Sequence, residues 1–324
     1  MTHHTPSGTR DVLPDEMREL RAITDAVRHT FEARGYGEIY TPALEYEQVL
    51  ARGEAHAADP AYRLFDEQGD VLVLRSDMTI PIARVVSNRY ENAPTPLRFC
   101  YVAHAYRSVR PKRGEAREML QAGIELVGAP APIGTAEAIT VLCETLAAAG
   151  LESFRIGLGD AALFPALLQA LGVDEVGTSA VLEKLAQRDF VGLSHVLTAL
   201  SIPAEDAERV QGVAQRRGGP EVLAPGDGVL AEAARGLRDV HELLDRDVAE
   251  RVIFDLGLTQ RLGYYTGAVF EVYDAALGAP IGSGGRYDDL LGRFGRSLPA
   301  VGWALNVERL HLAAAAEKER RAWA

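Results

Sequence analysis

Residues 97–128 read LRFCYVAHAYRSVRPKRGEAREMLQAGIELVG. The run from Leu97 to Tyr106 is rich in apolar and aromatic residues, and so is the run that begins at Met119. Between them lies a polar loop, RSVRPKRGEAR, so the segment predicts strand, loop and strand, antiparallel in character. Upstream, Leu13, Met17, Leu20, Ile23, Val27 and Phe31 recur at spacings of three and four, an amphipathic helix opened by Pro14 and Asp15 and stopped at Gly35. GYGEIYTPALEY follows as a strand with Pro42 at an edge or bend. A hairpin about Gly69 and Asp70 then leads into a helix. Downstream come a helix over 135–150 and a strand in ESFRIGLGD. From 166 to 250 the texture is helical and reads as an insertion forming a smaller packing unit. Strands resume at Val252, IGSGGRYDDLL reads as a glycine-rich turn entering a helix, and the chain closes on a strand and a helix. The order lacks the alternating strand–helix units of a doubly wound parallel sheet. It predicts an α+β fold on an antiparallel sheet, with residues 1–165 and 251–324 forming the core domain and 166–250 the helical insertion.

The 324 residues carry a formal net charge of -12, which weighs against tight non-specific nucleic-acid binding. Cys100 and Cys143 form no CxxC or Cys/His cluster, and the eight histidines show no ligand spacing, so no metal site, disulfide framework or cofactor is predicted. His3 and His4 read as part of a terminus and not as a metal site. No apolar targeting segment and no membrane span is visible, and the expectation is a cytoplasmic protein.

Residues 255–273, DLGLTQRLGYYTGAVFEVY, set two adjacent tyrosines and a threonine before a β-rich run, which suggests strands around a small-molecule pocket. Taken alone, Tyr264 and Tyr265 fit a plain core, Gln121 a cap of strand hydrogen bonding, and Arg107 with Arg110 a solvated loop pair.

Three segments in order change that reading. They are the helix and strand ending at Pro42, the arginine loop after Tyr106, and VGWALNVERL with Arg309. These resemble motifs 1, 2 and 3 of the class II aminoacyl-tRNA synthetases. PSGTRDVLP, LRSDMTIPIAR, LGYYTGAVFE and GSGGRYDDLL narrow the resemblance to the histidyl-tRNA synthetase catalytic domain, over about residues 6–312. The resemblance implies that Asp77, Thr79 and Gln121 hold an α-amino group, that Glu125 meets an imidazole, and that Tyr264, Tyr265 and Tyr287 line it. The chemistry suits such a ligand. A carboxylate accepts from an imidazole N–H, a tyrosine hydroxyl serves the other nitrogen, and a second carboxylate meets the ammonium.

The departures fall on the ATP side. Arg107 and Arg309 are kept, but Gln260 stands where the synthetase has the arginine that lies against the reacting phosphate and carboxylate. Adenylation builds negative charge there, and a glutamine brings no cation to meet it. On a strand, Arg261 would point away from the pocket, since neighbouring side chains alternate. Val109 replaces the glutamate that meets adenine, Glu115 reverses an arginine, and Glu118, Met119 and Leu120 replace aromatic and amide positions. Arg107, Arg309 and Gln260 therefore read as a vestigial ATP site. Only 15 residues follow Arg309, so no anticodon-binding domain is expected.

An amino-acid pocket beside a damaged ATP site is similar to one branch of this family, the regulatory subunits of ATP phosphoribosyltransferase. That resemblance implies a non-catalytic subunit required for the first step of histidine biosynthesis and for feedback inhibition by histidine. It implies as partners a short-form catalytic subunit, a second copy of the chain through motif 1, and histidine as effector, with no tRNA and no membrane. The cluster Arg107, Arg110, Lys112 and Arg113 is a candidate contact with the catalytic partner. The alternative is a truncated ligase that still adenylates an amino acid.

Overall fold

The computed structural model describes residues 4–53, 61–108, 116–223, 228–259 and 263–322. Its strands in chain order are β1 Gly37–Glu38, β2 Leu44–Tyr46, β3 Arg63–Phe65, β4 Val71–Leu74, β5 Leu97–Tyr106 and β6 Glu118–Val127. They continue with β7 Arg155–Asp160, β8 Arg217–Gly218, β9 Val252–Asp255, β10 Ala268–Tyr273, β11 Gly282–Arg286 and β12 Ala300–Asn306. Among the described residues, nine of them form one sheet in the order β1-β5-β6-β12-β11-β10-β7-β9-β8, and β2-β4-β3 form a second. Every pairing in the large sheet is antiparallel except β1 with β5 and β7 with β9. The two parallel exceptions belong to strands brought together from distant parts of the chain, so neither follows from a local pattern.

The long pair β5/β6 is the spine. It runs in register from Leu97 opposite Val127 to Tyr106 opposite Glu118. Alternation gives β6 two characters. Ala122, Ile124 and Leu126 are buried in the larger core, under the helices Pro14–Ala33 and Ile133–Ala148. Gln121, Gly123 and Glu125 face the other way. The first helix lies on this core because Leu20, Val27 and Phe31 share one face, with the Phe31 ring 5.7 Å from that of Trp303. It ends where Gly35 adopts φ +77. The opposite face of the sheet carries a second core of Phe99, Tyr101, Tyr264, Tyr287 and Leu290, closed by the helix Thr79–Arg89 through Ile80, Ile82 and Val86.

Residues 163–249 supply the helices Leu163–Ala170, Glu175–Ala186, Phe190–Ala199, Ala204–Ala214, Val229–Glu242 and Arg246–Ala249. Asp174 and Asp189 cap two of them, each accepting at 2.8 Å from a backbone N–H three residues on. Val181, Leu185, Leu197, Val210 and Leu237 join the same continuous core as Phe254 and Val272 of the sheet. This segment also contributes β8, which pairs with β9 as an edge strand.

The glycine-rich run is a central strand and not the turn that its composition suggests. A Cβ on Gly284 would sit 2.4 Å from the Trp303 Cβ and 2.5 Å from the Gly302 carbonyl. Close approach of neighbouring strands therefore selects glycine here, and packing overrides its weak strand propensity. A single 3-10 turn, Leu291–Phe294, follows where a helix is expected. No helix of the described residues is long and apolar enough to cross a membrane.

Candidate functional site

Glu125 stands on β6 opposite Phe99 of β5 and Gly302 of β12. Its side chain is buried, with the residue 1% exposed. The neighbouring backbone is bare for its sake, since a Cβ on Gly302 would lie 1.9 Å from Glu125 Oε2. Two other glycines clear space in the same way. A Cβ on Gly123 would come 2.5 Å from the Tyr101 hydroxyl, and one on Gly285 would come 2.8 Å from the Tyr265 ring. Three strands thus keep glycine where a side chain would fill the cleft.

The wall opposite is the start of the helix Thr79–Arg89. The Thr79 hydroxyl donates to Glu125 Oε1 at 2.6 Å, and the Ile80 N–H donates to Asp77 Oδ1 at 3.1 Å. The Tyr287 hydroxyl donates to Glu125 Oε2. Tyr264 and Tyr265 complete the enclosure, their ring centroids 4.9 Å apart, and Tyr264 meets Tyr287 edge-on at 5.7 Å. These tyrosines sit on a turn before β10 and not on the strand that their flanking residues suggest. On a strand they would face opposite sides; the turn lets both rings reach one pocket.

Two carboxyl groups therefore share one enclosure. Burial pushes Glu125 up to about 8, with the Asp77 charge adding to the shift and the Thr79 and Tyr287 donors opposing it. Asp77 is also raised, by burial first, against the Ile80 N–H, the Arg107 charge and the Thr79 N–H. Burial holds the phenols of Tyr264, Tyr265 and Tyr287 above their ordinary range, so they remain hydroxyl donors and acceptors at neutral pH. Gln121 lies on the same face of β6, and its buried Oε1 accepts no hydrogen bond among the described residues.

The second half of the cleft is cationic. Arg107 follows β5 and its N–H closes the β5/β6 pair on the Arg117 carbonyl at 2.9 Å. Arg309 lies in the first turn of the helix Val307–Ala322, where its guanidinium donates to the Pro280 carbonyl at 2.8 Å. Burial lowers the Arg309 pKa, and the like charge of Arg107 lowers it further. Gln260 and Arg261 lie outside the described residues, as do Val109, Arg110, Lys112, Arg113 and Glu115. Of the residues singled out in the sequence, Asp77, Thr79, Glu125, Tyr264, Tyr265 and Tyr287 meet around one enclosure. Gln121 and Arg107 border it, and Arg309 stands beside Arg107.

Three contributions escaped the sequence reading. Tyr101 lines the pocket from β5, where the charges of Glu125 and Asp77 add to burial in raising its phenol. Its place was available from register, since it lies opposite Gly123, two residues from Glu125. The glycines of β6, β11 and β12 form the second contribution. The third is Arg75, a buried cation that donates to the carbonyls of Thr41 at 2.5 Å, Pro42 at 3.2 Å and His104 at 2.8 Å. It ties the Pro42 bend to β5 at the entrance to the Asp77 loop. Among the described residues, no group of His, Cys, Asp and Glu is arranged to hold a metal ion.

A family model described as histidyl-tRNA synthetase matches residues 8–310. A protein of Symbiobacterium thermophilum named ATP phosphoribosyltransferase regulatory subunit is 41% identical over 315 residues, covering 95% of this chain and 79% of that one. The chain belongs to the ATP phosphoribosyltransferase regulatory subunit family. The family's fold is that of the class II synthetases, as the solved structures agree. One from Bacillus halodurans, described as an ATP phosphoribosyltransferase regulatory subunit/histidyl-tRNA synthetase, superposes with a TM-score of 0.87 at 32% identity, covering 97% of this chain and 84% of that one. Another from Alicyclobacillus acidocaldarius, described as a histidine–tRNA ligase subunit, gives 0.84 at 32% identity, covering 98% and 99%.

Proposed function

We propose that this chain is a non-catalytic regulatory subunit that binds histidine in the Asp77–Glu125 enclosure and carries feedback inhibition to a short-form catalytic phosphoribosyltransferase. The observation that carries the reading is the pair of carboxyl groups in one tyrosine-lined enclosure, Asp77 just before the helix entrance at Thr79 and Glu125 hydrogen-bonded to Thr79 from β6. A free amino acid with an imidazole ring brings an ammonium for Asp77 and the open Gln121 carbonyl, and ring nitrogens for Glu125 and the tyrosine hydroxyls. Glutamine at position 260 supports the absence of adenylation, because it removes a cation from the place where the related enzymes develop negative charge. The ligand has to stabilise one arrangement of the complex over the other for its binding to inhibit.

The organisation proposed with it is a class II core from 1–165 and 251–324 around a helical insertion at 166–250, in a cytoplasmic hetero-oligomer built on a homodimer. Apolar residues around motif 1 support the homodimer, with Tyr40 and Phe65 84% and 75% exposed and Leu44 and Tyr46 beside them. Calorimetric titration of the chain with histidine, together with histidine-dependent exchange of pyrophosphate into ATP, tests the reading. It expects binding without exchange. The second reading, an adenylating ligase, is favoured by the preserved proximity of Arg107 and Arg309. Clear exchange by the pure chain would establish it.

A further inference from the structure

The groups that face the Glu125 carboxyl come from four elements. Thr79 and Asp77 approach from the helix entrance, Tyr287 from the end of β11, Tyr264 and Tyr265 from the turn before β10, and Tyr101 from β5. On β12 the backbone of Gly302 leaves no side chain against it. No arginine, lysine or histidine among the described residues forms an ion pair with it. Its direct partners are hydroxyls, which serve a carboxylate as donors and a protonated carboxyl as acceptors. Asp77 is held differently. Its partners are backbone N–H groups, which only donate, and the Arg107 charge lies within its reach. Two carboxyl groups this close share their titration, and the donors decide which of them bears the proton. Against the burial that raises Asp77, backbone N–H groups and a cation favour its charged form; interchangeable hydroxyls let Glu125 carry the proton.

We propose that Glu125 selects its ligand through one shared proton: the carboxyl carries a proton in the empty pocket and passes it to a basic ring nitrogen of the bound amino acid. This rests on the histidine reading of the pocket and deepens it. The proton leaves a Glu125 oxygen and forms the ring N–H. No other reactant is needed, and the pocket's total charge is unchanged while a neutral pair becomes an ion pair. A ring without a basic nitrogen cannot complete the exchange, so the site separates an imidazole from non-basic rings of the same size. The raised affinity of Glu125 for its proton agrees with this geometry.

The linkage has a definite sign. A free imidazole titrates near ~6.5, and Glu125 near about 8. Between these values the pocket brings the proton and the ligand ring does not, so binding moves no net proton. Below the window the ring arrives already charged and a proton must be released. Above it the pocket has lost its own proton and one must be taken up. Affinity is therefore highest inside the window and falls by about tenfold per pH unit on either side.

The experiment is calorimetric titration of the whole chain with histidine at about pH 5.5, about 7.2 and about 8.5, each in two buffers of different ionisation heat, which yields the number of protons moved. Wild type is expected to release protons at the lowest pH, move none at the middle one and take up protons at the highest. Glu125→Gln removes the uptake and leaves the release, because an amide does not titrate and the ligand still does. The ligand's own ammonium contributes equally to both proteins. Triazolylalanine, whose ring is far less basic, is expected to bind wild type at least about tenfold more weakly than histidine at the middle pH. This last comparison needs no variant, so poor folding of Glu125→Gln leaves a decisive result. Binding without uptake at the highest pH, equal uptake by Glu125→Gln, or equal affinity for the two ligands would overturn the shared proton. Absence of histidine binding at every pH is a different outcome and would overturn the histidine reading itself.

Discussion

The two halves of the cleft are built on opposite electrostatic plans. In the half around Glu125, like charges are buffered: carboxyl groups meet hydroxyls and N–H groups, and glycines hold the backbone back to give them room. In the half around Arg107 and Arg309, two cations stand close enough that one lowers the proton affinity of the other. Synthetase-like enzymes use both halves at once, one to hold an amino acid and the other to stabilise charge on a nucleotide. Here the first is finely enclosed, and the sequence carries glutamine at position 260, where the resemblance to those enzymes implies an arginine. A pocket and a reaction are separable on this fold, because the carboxyl- and tyrosine-lined half is built from β6, the end of β11, the turn before β10 and the entrance to the helix Thr79–Arg89, whereas the cations come from the end of β5 and the last helix.

The contrast predicts a graded set of outcomes. Gly302→Ala should have the largest effect, since the new Cβ would lie 1.9 Å from Glu125 Oε2 and 2.6 Å from the Ile124 carbonyl. A cost of about 3 kcal/mol in stability and loss of histidine binding are expected, read by thermal unfolding and calorimetry. Normal binding by this variant would mean that the glycines do not shape the pocket. Glu125→Ala comes next, with an affinity loss of about 30-fold to 1,000-fold as the ligand's ring nitrogen loses the carboxyl proposed to serve it. Asp77→Asn keeps the shape but removes the charge for the ammonium, and should weaken histidine by about 10-fold to 100-fold. Tyr287→Phe removes one hydroxyl and should cost about 1 kcal/mol in binding. Arg309→Ala is the control in the other half, and its histidine affinity should stay within about 0.5 kcal/mol of wild type. A large loss there would show that the halves act as one site.

Much of this was legible in the sequence, for reasons that differ by element. The β5/β6 pair was readable because two apolar runs flank one polar loop, and their register follows once they pair. Glu125 and Asp77 stand out because carboxylates near apolar strands need partners. The turn carrying Tyr264 and Tyr265 was not readable, because its residues have the aromatic composition of a strand and only the tertiary pocket calls both rings to one side. Composition predicts a turn over Gly282–Arg286 for the converse reason: glycine signals turns locally, and the crowding by Trp303 that demands it here comes from another strand. Tyr101 has no sequence signal as a pocket residue, because nothing in its own neighbours distinguishes it from a core residue. The mixed character of the sheet, through β1/β5 and β7/β9, depends on contacts between strands far apart in the chain.

The most direct test of the central claim is a histidine titration of phosphoribosyltransferase activity in the complex reconstituted from a short-form catalytic subunit and this chain, with wild type and Glu125→Ala compared. The account predicts inhibition by histidine with the wild-type chain, and loss of that inhibition with a Glu125→Ala chain that still assembles and supports activity. Undiminished inhibition with the variant would place the effector elsewhere and contradict the reading of this pocket as the sensor.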